Sequence, residues 1–190
     1  MLFDNNRTGL PVLYNEAVRQ SSSDAAILIF IHDDVHLCDF FWPMHIVNGL
    51  QAFDIVGLVG NTRRLPGQPA WCFKNSSFVW DDSGNLSGSV AHGTGFPPTV
   101  LNRFGPPGKA VKLLDGFFLA VRSETLLSRG IRFDESFDFH FYDMDFCRQA
   151  EQHGLRMGTW TLSAIHESGG AFGTSAWQQG YQKYLDKWKS

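Results

Sequence analysis

The chain lacks any long apolar run: the stretch Ile27-Leu-Ile-Phe-Ile31 is far too short for a bilayer, which needs roughly 20 such residues. The opening Met1-Leu-Phe-Asp-Asn-Asn-Arg7 has no basic segment followed by an apolar one, so no secretion signal is expected there. Cysteine is scarce. Cys38, Cys72 and Cys147 are odd in number and show no CxxC or zinc-finger spacing, which supports neither a disulfide framework nor a cysteine zinc site and suits a reducing, cytoplasmic setting. Positive charge is also thin. With a net charge of −3, a pI near 6.1 and Arg63-Arg64 as the sole adjacent basic pair, the chain offers no overall basic field, so no nucleic-acid partner is expected. No fixed-period repeat is present.

What the chain does have is enough apolar material for a core. At 190 residues, 43% hydrophobic and 14% aromatic, it is expected to form one domain over residues 1–190. Helical spacing covers Leu10 to Arg19 and, with Pro43 in its first turn, Phe40 to Ala52. Ile27 to Ile31 and Ile55 to Val59 read as buried strands, so this β-α-β unit predicts parallel strands, side by side or nearly so. Between Asn61 and Gly108 the pattern loosens into short antiparallel strands and long loops. Ser123 to Gly130 is a short helix closed by glycine, Asp143 to His153 a second, and Trp160 to Ile165 a strand. Trp177, Tyr181, Tyr184, Leu185 and Trp188 share one face of a last helix, either a cap on the core or a membrane-surface face. The fold class is therefore α/β, a mostly parallel sheet flanked by helices on both faces with an antiparallel section.

Three motifs carry chemistry. His32-Asp-Asp-Val35 follows a strand, where open α/β sheets place ligands, and its hard oxygens suit Mg2+ or Mn2+, which in turn suit a diphosphate. The plain alternative is that one aspartate caps the next helix. His166 opens a Ser-Gly-Gly loop and could complete the coordination from the far side, an Asp/His mixture that leans toward manganese. In Tyr142-Asp-Met-Asp145, one carboxylate could act as a general base while the other holds the helix start, or both could merely cap it.

The order strand, His32-Asp-Asp, Leu114-Asp-Gly-Phe-Phe-Leu-Ala120, Tyr142-Asp-Met-Asp-Phe-Cys-Arg148, His166-Glu-Ser-Gly-Gly170 resembles family 2 glycosyltransferases of the GT-A fold. Within them it is most similar to the small branch related to the streptomycin-biosynthesis StrF-like enzymes. The resemblance spans nearly the whole chain. It implies a sugar moved from a nucleotide-diphosphate donor to an acceptor hydroxyl, expected on a saccharide, by direct attack and with inversion. It places Asp33 and Asp34 at the cation and donor diphosphate, with Asp34 the preferred metal ligand and His166 its partner. Asp143 is the implied base; because the family's glutamate is Tyr142 here, Asp145 stays open as the alternative. Asp115 and Gly116 match the acceptor-side segment, and Trp71, Trp80 or Trp177 could stack on a sugar face or simply pack. The resemblance also implies that the first nucleotide-binding strand is missing, with Leu2 to Asn6 matching the end of that region. A homo-oligomer is left open. Two rival functions remain: a non-catalytic nucleotide-sugar or carbohydrate-binding domain, and a metal-dependent phosphoester or nucleotide-sugar hydrolase.

Overall fold

The computed structural model describes residues 7–23 and 25–189. The expectation about Leu2 to Asn6 lies outside them. Helix α1 (Leu10–Gln20) carries Pro11 in its first turn and turns Pro11, Tyr14, Asn15 and Val18 inward, the spacing of an amphipathic helix. Asn15 is buried but satisfied: its amide donates to the Phe133 carbonyl at 2.8 Å and accepts from the Phe133 N–H at 3.0 Å. The chain continues through β1 (Ile27–Ile31), β2 (Val35–Leu37), α2 (Trp42–Ala52), β3 (Ile55–Gly57), β4 (Val59–Asn61), β5 (Leu86–His92) and β6 (Val100–Gly105). After these come β7 (Ala110–Val111), β8 (Leu113–Leu114), β9 (Phe118–Arg122), α3 (Ser123–Arg129), α4 (Tyr142–Gln152), β10 (Met157–Thr159), β11 (Ala164–His166) and α5 (Ser175–Trp188). Helix α3 ends at Gly130, whose φ of 64° is the left-handed conformation that glycine adopts without a Cβ clash.

Two mixed sheets result. The first has the order β1-β9-β3-β10-β7 and the second β2-β11-β5-β4-β8, with β6 paired to β5. The mixed α/β class agrees with the sequence reading, but the parallel character does not. Among the described residues only β3 with β10 and β5 with β11 pair parallel; every other pairing is antiparallel. The cause is β9, which inserts antiparallel between β1 and β3, so that these two strands run parallel without touching. Phe118 to Val121 of β9 have no accessible surface, as expected of a strand covered on both edges and both faces.

The Ile55 to Val59 strand is also two strands, because the chain leaves the first sheet at Leu58 and enters the second as β4. The same transfer occurs between β1 and β2, β7 and β8, and β10 and β11. Of the expected strand from Trp160 to Ile165, the residues before Ala164 form that last transfer instead. Helix α5 takes the capping option: Thr174 accepts from the Trp177 N–H at 3.2 Å, Trp177 and Tyr184 are buried, and Tyr181, Leu185 and Trp188 pack against the core. Among the described residues no helix is long and apolar enough to cross a membrane.

Candidate active site

The points where the chain passes between the two sheets are where polar side chains gather. Strand geometry ends there, so backbone and side chains are free to face a common cleft. His32, Asp33 and Asp34 form the turn from β1 to β2, closed by the Val35 N–H on the His32 carbonyl at 3.3 Å. Asp115 and Gly116 make the return from β8 to β9, and His166 closes β11, in register with Val35 of β2. Helix α4 delivers Tyr142 and Asp143 from a third direction. The cleft they share has a volume of about 880 Å³, within the range of small-molecule sites.

One ligand atom from each of His32, Asp34 and His166 lies within 4.8 Å of the others. His166 Nε2 stands 3.3 Å from Asp34 Oδ1 and 3.0 Å from Ser168 Oγ, while the Ser168 N–H donates to Asp34 Oδ2 at 3.2 Å. The Phe117 ring stacks on His166 at 4.7 Å, and the His166 carbonyl accepts from His92 Nδ1 at 2.8 Å. Burial works to raise the Asp34 carboxyl, but the bonds from Ser168 and the nearby His166 and His32 rings outweigh it and hold Asp34 below its ordinary value. Burial lowers the His32 pKa, with the attraction of Asp115 opposing it and the His166 ring adding to it. His32 is therefore neutral at pH 7. A carboxylate and imidazoles with lone pairs form a donor set that a divalent ion such as Mn2+ accepts.

A hydrogen-bond chain fixes the His32 ring. The Tyr142 hydroxyl donates its one proton to the Gly116 carbonyl at 2.8 Å, so its 2.9 Å contact with His32 Nε2 must be one in which the imidazole donates. His32 is thus the Nε2–H tautomer, with Nδ1 as the unprotonated nitrogen. Tyr142 has no room to shift: a Cβ at position 116 would collide with its hydroxyl, which is why glycine stands there. The residue before α4, Phe141, has a φ of 68° without being glycine, a costly conformation. It is held by ring contacts to Trp177 at 5.2 Å and to Tyr181 and Tyr184 at 5.5 Å each, and it turns the start of α4 into the cleft.

Asp143 lines the cleft, accepting from the Gly116 N–H at 3.1 Å and from the Met144 N–H at 2.8 Å. Its carboxyl is nevertheless pushed up to about 7, first by desolvation among densely packed neighbours and then by the negative charge of Asp115, which outweigh the two amide bonds. Asp115 accepts from Trp71 Nε1 at 2.6 Å and from the Phe117 N–H at 3.2 Å, so its carboxylate is oriented at the cleft wall. Trp71 and Trp177 both line the cleft although each is largely buried, whereas Trp80 is half-exposed at its mouth.

Two residues singled out in the sequence stand elsewhere. Asp33 is exposed, and neither it nor Asp34 lines the cleft itself, which Asp34 adjoins through His166. Asp145 has no accessible surface; its carboxylate accepts from Trp188 Nε1 at 2.8 Å, Lys187 Nζ at 2.6 Å and Gln149 Nε2 at 2.7 Å, pinning α5 to α4. Asp145→Ala leaves Trp188 Nε1 and Gln149 without their acceptor while Lys187 keeps Asp134 at 2.7 Å, so a loss of about 1–3 kcal/mol should lower the denaturant midpoint in a urea titration. Any Mn2+ binding by the folded fraction should persist, an outcome that a role in the cleft would contradict.

The sequence model of a glycosyltransferase-like family matches residues 6–187. The chain belongs to that family. No curated protein matches it. The match spans the elements that build the cleft. A family 2 resemblance is thereby supported at the level of the family, and a glycosyltransferase of this kind implies a nucleotide-sugar donor and a sugar acceptor.

Sequence reasoning did not assign His32 a ligand role, nor His92, Phe104 or Phe141 any role. A signal existed for His32. It is the first polar residue after the branched run of β1 and stands two before Asp34 in the same turn. No local pattern marks Phe141 or Phe104, because their places depend on α5 and on the loop bearing Trp71 and Trp80.

Proposed function

We propose that this protein is a metal-dependent glycosyltransferase of GT-A type, close to the StrF-like branch, that moves a sugar from a nucleotide-diphosphate donor to an acceptor hydroxyl with inversion. The observation that carries the reading is the His32, Asp34 and His166 cluster set beside Asp143 in one cleft whose lining contains no lysine or arginine among the described residues. A diphosphate cannot enter a wall bearing Asp115, Asp143 and Glu167 without a compensating charge. His32, Asp34 and His166 would hold a Mn2+ or Mg2+ ion, which when bound neutralises the diphosphate and stabilises the leaving group. Asp143 accepts the proton of the attacking hydroxyl, its raised pKa making it a base matched to neutral pH. Asp115 and Trp71 orient the acceptor, and Gly116 lets Tyr142 reach both the metal-binding histidine and the loop that fixes the base.

A panel of nucleoside diphosphates with and without Mn2+, read by thermal shift, tests this, since a ligand at 100 times its Kd stabilises by about 2.7 kcal/mol. A shift that requires the metal and the diphosphate together is the expected result. Donor binding without transfer to any sugar would favour a binding domain, and sugar release without acceptor would favour a hydrolase.

Tyr142→Phe isolates the tautomer argument. Loss of a hydrogen-bond partner behind a metal-binding histidine typically weakens binding about 10- to 100-fold. The variant keeps the ring packing but leaves the Gly116 carbonyl without its donor, so beside a moderate fall in melting temperature the Mn2+ affinity of the folded protein, measured by calorimetry, should fall by that factor. Unaltered Mn2+ affinity would remove His32 from the ligand set.

A further inference from the structure

Beyond Asp115 the cleft changes character. The edge of the Trp71 ring meets Phe104 at 4.9 Å, and Phe104 stacks on Trp80 at 5.8 Å with 16° between the planes. Phe73 meets Trp80 and Phe172 at 5.2 Å each. Phe104 and Asn102 of β6 both line the cleft, and Trp80, on which Phe104 stacks, is 52% exposed. The rings thus form an apolar track that starts at Asp115 and ends in solvent.

Polar partners along this track are few. Trp71 Nε1 is committed to Asp115, the Thr99 hydroxyl to the His92 carbonyl at 3.0 Å, and Asn102 is the single side-chain amide among the cleft residues. A bare sugar exposes donors and acceptors around its whole rim, each needing a partner when buried. A flat apolar group needs only faces and edges to pack on. In order of contact the track lies past the carboxylates from the His32, Asp34 and His166 cluster: His32 meets Tyr142, the Asp115-Gly116 turn meets Asp143 and Trp71, and Trp71 meets Phe104 and then Trp80.

Resting on the transferase reading above, we propose that the acceptor is a sugar carrying an apolar, ring-bearing aglycone, which seats on Trp80 and Phe104. The sugar hydroxyl then turns inward to Asp143, and the aglycone supplies the binding that the sparse polar lining does not.

Calorimetric titration with matched methyl and phenyl glycosides of glucose, galactose and mannose, with and without Mn2+ and a nucleoside diphosphate, tests the idea. For at least one sugar the phenyl glycoside should bind about 10- to 100-fold more tightly than the methyl glycoside, the scale expected for burying one aromatic ring. Trp80→Ala, at a half-exposed position, should remove that gain, and Phe104→Leu should reduce it. Equal affinity for both glycosides, a gain that survives Trp80→Ala, or no binding by any of them overturns the aglycone site. Failure of Mn2+-dependent nucleoside diphosphate binding in the same samples, with the phenyl preference intact, would instead overturn the transferase reading alone.

Discussion

Asp143→Asn should cut glycosyl transfer by about 10² to 10⁴, the usual contribution of a general base, and at the same time make the protein more stable above neutral pH. The two effects share one cause. Burial and the Asp115 charge push the Asp143 carboxyl up to about 7, so holding it ionised in the fold costs free energy that the unfolded chain, titrating near 4, does not bear. A group whose folded value is raised contributes stability that is complete below the unfolded pKa and is lost as pH climbs through the folded one. The window here runs from roughly pH 4 to pH 7, and the linkage sets an upper bound of about 4 kcal/mol. In EDTA, the melting temperature of Asp143→Asn should match that of the parent near pH 4 and exceed it by pH 8. The kcat/KM of the parent should rise with pH through about 7 as the base ionises. Undiminished transfer by the asparagine variant would reassign the base, and a variant less stable than the parent at pH 8 would refute the desolvation argument.

His166→Ala and Asp34→Ala carry the other large effect. Each removes a ligand atom from a three-residue cluster, so each should weaken Mn2+ by more than the roughly 100-fold that marks the upper end for losing a ligand's hydrogen-bond partner. Because no lysine or arginine among the described residues lines the cleft, nothing among them can take over the diphosphate charge, and nucleotide binding should disappear along with the metal. Asp34→Asn distinguishes charge from shape: it preserves the side chain's size and still offers an acceptor to the Ser168 N–H while deleting the anion. Mn2+ titrations monitored by calorimetry, with circular dichroism confirming the fold, decide the matter. Persistence of Mn2+-dependent nucleotide binding in both alanine variants would place the cation elsewhere or dispense with it.

Local pattern alone determined which segments are helix and which are strand in the clearest cases. Apolar spacing located α1 and α2, the branched run located β1, and Gly130 marked the end of α3, because turn chemistry and side-chain periodicity act between near neighbours. The motifs also named several polar residues of the site: Asp34, Asp115, Gly116, Asp143 and His166 were all legible from residue type at the ends of elements. The pairing of the strands was not: β1 and β3 run parallel, as their β-α-β pattern predicts, but β9 enters antiparallel between them from far along the chain, a pairing that no window of neighbouring residues contains. The choice between acids was half legible. Asp143 and Asp145 are two apart on α4 and so roughly 200° apart around it, which forbids both from facing the cleft. Only the docking of α5, whose Lys187 and Trp188 claim Asp145, decided that Asp143 is the one left to the cleft. In the same way, His32 joined the cluster with Asp34 and His166 only when α4 brought Tyr142 to one of its nitrogens and β11 brought His166 beside Asp34. Sequence supplies the reactive groups and the elements that bear them; which groups meet is set by long-range packing, where burial and steric fit rather than local propensity carry the energy.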